Sequence, residues 1–312
     1  MLKRIRNFFS KMINSSLGTA FLSFAIMLLL SIFSLINQSL PLPSNALMLP
    51  IILLAFALPI LAFVVFRGGK EYIKSFSPAL PTKAHIPMII WSTLLICFGS
   101  TFLKIVFIDG KYTEFPLYNA FFAHRNGNFF NDLYLILAFC LIPPVLEAVV
   151  FRGAMLKDLD KRGRLTATLC SSILFAILGF DMLELLPRFL VGCVLCMVFY
   201  ATDSIILTAT MHIAYNIFAV FLEPTLVSIK NVSANFELFI FIIAILTLST
   251  AIFLLSGLSN LYKVYSHEKF GTNTTKSTSR HHTLHFFGEF MLSIPAIACY
   301  IVFIITFLLN QI

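Results

Sequence analysis

Long apolar runs broken by short polar segments organise the whole chain. A helix needs about 20 largely apolar residues to cross a hydrocarbon core of about 30 Å, and runs of that order fall at 17–36, 46–66, 87–108, 133–151, 165–180, 186–202, 205–222, 238–258 and 290–309. The pattern predicts an all-α, polytopic transmembrane helical bundle of about eight to nine spans, since a helix satisfies its own backbone in lipid. The fifth and sixth runs are short, and only Asp203 and Ser204 separate the sixth from the seventh, so the count turns on that pair. The first run follows Lys3, Arg4, Arg6 and Lys11 and shows no small-residue cleavage site. It is expected to stay as the first span rather than leave as a signal peptide.

Composition removes the other classes. Hydrophobic residues make up 59% of the 312 and charged residues 12%, with a mean hydropathy of +0.94; an average soluble domain is about 25% charged, so a soluble globular protein is excluded. Thirty-five phenylalanines exclude a disordered chain, because that much apolar side chain does not stay solvated. A formal charge of +8 would point to nucleic acid in a soluble domain. Here no nucleic-acid partner is expected; the partner is the lipid bilayer, and the charge reports which side of it each loop occupies.

Basic residues gather in the N-terminus, the second loop (Arg67, Lys70, Lys74, Lys83), the fourth (Arg152, Lys157, Lys161, Arg162, Arg164) and the eighth (Lys263, Lys269, Lys276, Arg280), whereas 37–45 is uncharged and 109–132 mixed. All the basic segments fall on one side, so the N-terminus is expected in the cytoplasm and, with an odd number of spans, the C-terminus outside. The chain divides into N-terminal transmembrane helices (1–110), a central core (131–262), a cytoplasmic linker (263–289) and a C-terminal transmembrane helix (290–312). The linker carries the Thr/Ser-rich stretch 272–279 followed by His281, His282 and His285, which reads as a solvated loop before it reads as a metal site. No repeat of fixed period is visible, which disfavours an inverted-repeat transporter. The six cysteines lie inside apolar runs, where a thiol packs as a small hydrophobe.

An ionisable group inside a span is by default a functional candidate. The strongest is Glu147, with Arg152, in PPVLEAVVFRGAML; Pro143 and Pro144 remove two backbone donors just before it, so the helix should loosen there. A structural ion pair between Glu147 and Arg152 is the plainer reading. His212 and Asn216 share one helical face at i, i+4 in TATMHIAYNIFA, although a membrane histidine is more often an interhelical hydrogen bonder. Snorkelling or an outer boundary accounts for Lys104, Asp181, Glu184 and Arg188.

Glu then Arg at the end of one span, an S-S-x-L-F-A helix, a short span ending Y-x-T-x-S-I and H-x-x-x-N in the next together resemble the CPBP family. That family takes in the CAAX-protease-like, or Abi, intramembrane proteases. The resemblance covers about residues 143–224 and implies a CPBP/Abi-type core. Of its signatures, E-E-x-x-x-R is met by Glu147 and Arg152 with Ala148 in the second glutamate's place, F-x-x-x-H by Phe175 with Gly179 in the histidine's place, and H-x-x-x-N in full by His212 and Asn216. The resemblance implies a general base at Glu147, a water or metal held at His212 and an oxyanion donor at Asn216, with Arg152 in the same site.

A catalytic zinc wants about three protein ligands plus water. Glu147 and His212 supply two, so zinc is a poorly furnished cofactor here. At about 1.5 Å per residue, straight helices would put Glu147 and His212 about 8–12 Å from the cytoplasmic face and Gly179 about 22 Å from it. Three functions stay open: an intramembrane endopeptidase acting on a membrane-proximal peptide or membrane protein near the cytoplasmic face, its activity expected to be reduced or lost with Ala148 and Gly179 in the motif positions; a catalytically silent scaffold for a membrane enzyme or a bacteriocin-processing or self-immunity factor; and a transporter. Compact size and short loops resemble the prokaryotic members, which implies the cell membrane.

Overall fold

Among the described residues every regular element is a helix and there is no strand. The computed structural model describes residues 17–39, 44–69, 72, 85–107, 116–160, 163–226, 236–268 and 280–309. The basic N-terminal segment, Lys70, Lys74, Lys83, Asp109, Lys111, Glu114, Lys161, Arg162, Lys269, Lys276 and the Thr/Ser-rich stretch lie outside the described residues, as do the side chains of Lys263, Arg280, His281 and His282.

The helices are α1 (Gly18–Ser39), α2 (Ser44–Phe66), α3 (Ile86–Phe107), α4 (Pro116–Ala123), α5 (Phe129–Leu159), α6 (Arg164–Ile177), α7 (Leu185–Thr202), α8 (Ile205–Phe221), α9 (Phe236–Glu268), α10 (Arg280–Met291) and α11 (Ile294–Leu309). Each of the nine apolar runs therefore holds a helix. Six helices, α1, α2, α3, α5, α7 and α9, are long and apolar enough to cross a membrane, and α10 with α11 forms a further pair bent by 53°. The fold is an all-α polytopic bundle.

Two runs form less than a full span. With 14 and 17 residues, α6 and α8 reach about 21 and 26 Å. The segment expected as linker is helical at both ends, because α9 runs on to Glu268 and α10 begins at Arg280. Phe286 and Phe290 explain the second helix: both are buried, and α10 packs on α6. The two-residue break between α7 and α8 is real. Asp203 ends α7 in the left-handed conformation at φ 48°, and the Ser204 hydroxyl caps α8 by accepting from the Leu207 amide at 3.2 Å.

One core joins the centre of the bundle, where Val150, Phe151 and Met155 of α5 pack with Cys170, Leu174 and Phe175 of α6 and Val191, Leu195 and Cys196 of α7. A Cβ on Gly192 would lie 3.0 Å from Ser172 Cα, so this glycine allows α7 its close approach to α6. Side-chain hydrogen bonds tie other helices: Ser171 Oγ donates to the Phe151 carbonyl at 3.1 Å, Ser100 pairs with the Tyr215 hydroxyl at 3.0 Å, and Ser31 pairs with Thr306 at 2.7 Å. At the end carrying the basic loops, Arg67 after α2 holds Asp158 of α5 at 2.5 Å.

Candidate active site

The loosening expected at the two prolines takes a specific form. Within α5, π-helical stretches at Ile136–Leu141 and Ala148–Leu156 flank a short α-helical piece, Ile142–Glu147. Pro143 and Pro144 lack the amides that would reach back four or five residues to the Phe139 carbonyl. Asn216 of α8 supplies the missing donor, its Nδ2 donating to that carbonyl at 3.1 Å. The widened helix thus locks onto α8, and Glu147 closes the α-helical piece on the inner side of the lock.

Glu147, His212 and Asn216 are brought together and buried, with relative exposures of 8%, 3% and 8%. His212 Nδ1 lies 3.6 Å from Glu147 Oε2, which is beyond direct hydrogen-bond reach, and that nitrogen has no hydrogen-bond partner. The His212 ring meets Phe175 of α6 edge-on at 5.4 Å between centroids. Phe175 is the hub of the site: the guanidinium carbons of Arg152 and Arg188 lie 4.5 and 5.0 Å from its ring centroid, within cation–π range.

The Glu147–Arg152 ion pair does not form. Glu147 Oε1 instead faces Arg188 Nη2 of α7 at 3.5 Å. The physical reason is the aromatic ring, which draws the Arg152 side chain, 1% exposed, over its face and leaves Nε, Nη1 and Nη2 without hydrogen-bond partners. Gly179 supplies no side chain where the histidine of the motif would stand. A Cβ there would lie 2.8 Å from both Cδ and Nε of Arg188, so the arginine occupies that space.

A cavity of about 220 Å³ is lined by Asn216, Tyr215, Arg188 and Gly179 together with Lys104, Asp181, Glu184 and Glu223. Lys104 does not snorkel. It is buried, with Nζ 2.7 Å from Glu184 Oε1 and 2.9 Å from Glu223 Oε2, and Thr101 donates to Glu223 at 3.1 Å. Burial raises the Asp181 carboxyl above its ordinary range, and neighbouring Glu184 adds to the shift.

The cavity walls are α4, the C-terminal ends of α3 and α8, the start of α7 and the loop between α6 and α7. This is the end of the bundle opposite Arg67, Asp158 and Arg164, whereas Glu147 and His212 lie between the cavity and the basic end. The short α6 starts at the basic end and stops after 14 residues. The loop that follows lines the cavity through Gly179, Asp181 and Glu184.

Residues 129–218 match the family model "Type II CAAX prenyl endopeptidase Rce1-like". The Rce1-like segment runs from the start of α5 through most of α8 and contains Glu147, Arg152, Phe175, Arg188, His212 and Asn216. The CPBP resemblance read from the sequence is borne out over this stretch, and the match supports a CAAX-type intramembrane protease function for a multi-pass membrane protein. No curated protein matches the chain, and no solved structure does.

The donor set of the Rce1-like segment does not fit zinc. Among the described residues no group of three or more His, Cys, Asp or Glu is arranged to hold a metal. The third side of the Glu147–His212 pair is closed by a guanidinium, which repels a cation. Sequence reasoning assigned Arg188, Lys104 and Glu184 to the membrane boundary and passed over Glu223. An unassigned signal was present: four charges near the ends of three apolar runs, too many to be explained one by one.

Proposed function

We propose that the chain is an intramembrane endopeptidase that hydrolyses a peptide bond in a membrane-proximal peptide or membrane protein, with Glu147 as general base. One observation carries this reading: Glu147 and His212, 65 positions apart in the chain and on different helices, meet at 3.6 Å in a buried site beside a cavity. Glu147 takes a proton from a water whose oxygen bonds to the scissile carbonyl carbon. Negative charge passes to the carbonyl oxygen, which the second N–H of Asn216 and the His212 ring stabilise. Collapse breaks the C–N bond, and the proton on Glu147 leaves with the amine. No metal enters these steps.

The chain is assigned to a prokaryotic cell membrane with the N-terminus cytoplasmic. In that orientation the cavity opens to the non-cytoplasmic half of the bilayer, and the substrate segment enters there.

A second reading rests on the same geometry. Asn216 already donates to Phe139, and Glu147 is held by Arg188, which is how a catalytically silent scaffold for a membrane enzyme would be frozen. Purified chain in proteoliposomes, given quenched farnesylated and transmembrane peptides, separates the two. The protease reading expects cleavage that falls about 10²–10⁴-fold in Glu147→Gln. Equal turnover in both proteins, zero included, leaves the scaffold.

A further inference from the structure

We propose that Arg188 is a working part of this site, standing in the space above Gly179 to hold Glu147 and to present an N–H donor to the substrate oxygen on which negative charge develops. The inference rests on the endopeptidase reading above and assigns it a residue outside the motifs.

Four observations converge on Arg188. Its Nη2 faces Glu147 Oε1 at 3.5 Å. Its Cδ and Nε fill the place of a Gly179 side chain, each 2.8 Å from where a Cβ would sit. Its Nε is buried without a hydrogen-bond partner. Its side chain also forms part of the cavity wall beside Asn216. A guanidinium carries five donors in a fixed plane, so one edge can hold the carboxylate while another stays open to the cavity. Stacking on Phe175, at 5.0 Å, fixes that plane.

Charge gives the second part of the argument. With Ala148 in the neighbouring position, Glu147 alone stands against two guanidinium groups, Arg152 and Arg188. The immediate surroundings of Glu147 therefore hold a cation in excess. That excess favours a tetrahedral oxyanion over a neutral carbonyl, which is the differential binding that accelerates a reaction. It does the work a metal would do in a site that cannot hold one.

The test uses the full chain with Arg188→Ala, Arg188→Lys, Gly179→Ala and the Gly179→Ala/Arg188→Ala double variant, monodisperse in detergent. Cleavage of a quenched farnesylated peptide is expected to lose about 10²–10³-fold in kcat in Arg188→Ala with KM changed less than about threefold, and Arg188→Lys is expected to recover part of the loss. Gly179→Ala is expected to lose activity by displacing the guanidinium, and the double variant to be no worse than Arg188→Ala alone. Apparent melting temperatures should show the same non-additivity without any substrate.

Additive melting shifts overturn the shared space whether or not the protein cleaves. A wild-type chain that cleaves together with an Arg188→Ala variant within about twofold of it overturns the donor role. A wild-type chain that does not cleave overturns the endopeptidase reading itself, while the melting arm still judges the packing.

Discussion

Asn216 Nδ2 donates to the main-chain carbonyl of Phe139 at 3.1 Å, the one carbonyl that both Pro143 and Pro144 deprive of a helical donor. The carboxamide is thus a structural clamp between α5 and α8 before it is anything else. Asn216→Ala leaves that carbonyl unsatisfied, and a buried unsatisfied group costs about 1–3 kcal/mol. A lower melting temperature is expected, with Asn216→Asp at least as damaging because an ionised carboxylate has no N–H to give. Replacing both prolines by alanine restores helical donors and should make Asn216→Ala much milder. An equally large effect of Asn216→Ala in either background would dismiss the clamp.

The cluster around Lys104 makes a sharper stability prediction. Glu223 is 1% exposed and Lys104 3%, and removing one partner of a buried pair costs about 3–5 kcal/mol because the other charge is stranded. Lys104→Met should destabilise the chain by that order. Lys104→Met with Glu223→Gln removes one of the two stranded carboxylates and should recover a substantial part of the loss. A double variant no more stable than the single one would show that the pairing at 2.9 Å contributes little.

Much of this architecture was legible from period and composition, and what was not has a common cause. Apolar runs located the helices because lipid demands long uninterrupted stretches, and Glu147 and His212 stood out because ionisable groups are rare there. Partner choice was not legible. Whether Glu147 meets Arg152 or Arg188 depends on the ring of Phe175 and the empty place at Gly179, both products of how α6 and α7 pack. The length of α6 was misread for a related reason: hydropathy continues through Leu178 and Phe180, but the helix ends at Ile177 and Phe180 turns at φ 51°.

The side of the membrane on which the cavity opens is open to direct measurement. Met182, 55% exposed in the loop beside the cavity, and Asp160, exposed at the basic end, lie at opposite ends of the bundle. With the basic loops in the cytoplasm, Met182→Cys should react with a membrane-impermeant maleimide added to intact cells, and Asp160→Cys only after the membrane is opened. Cys193 is half-buried and the other native thiols are buried, so the unmodified chain sets the background. Labelling of Asp160→Cys alone in intact cells would invert the bundle and return the cavity to the cytoplasmic side.

Arg152 separates structure from chemistry most cleanly. Its guanidinium is fully buried, lies 4.5 Å from the Phe175 ring centroid and has three nitrogens without hydrogen-bond partners. A buried cation with no carboxylate in direct contact destabilises a fold, whereas an apolar residue of similar volume in its place is often neutral or better. The opposing term is the cation–π contact, worth up to about 2 kcal/mol when desolvated. Arg152→Met keeps the volume and gives up both, so the melting temperature should change little, while Arg152→Ala adds a cavity and should lose about 2–5 kcal/mol of stability, as large-to-small core changes do. If Arg152 serves the reaction through its charge, Arg152→Met will fold as well as the parent and cleave far more slowly. If Arg152→Met instead unfolds as readily as Arg152→Ala, the arginine holds the core together through a partner stronger than the ring, and its charge is structural.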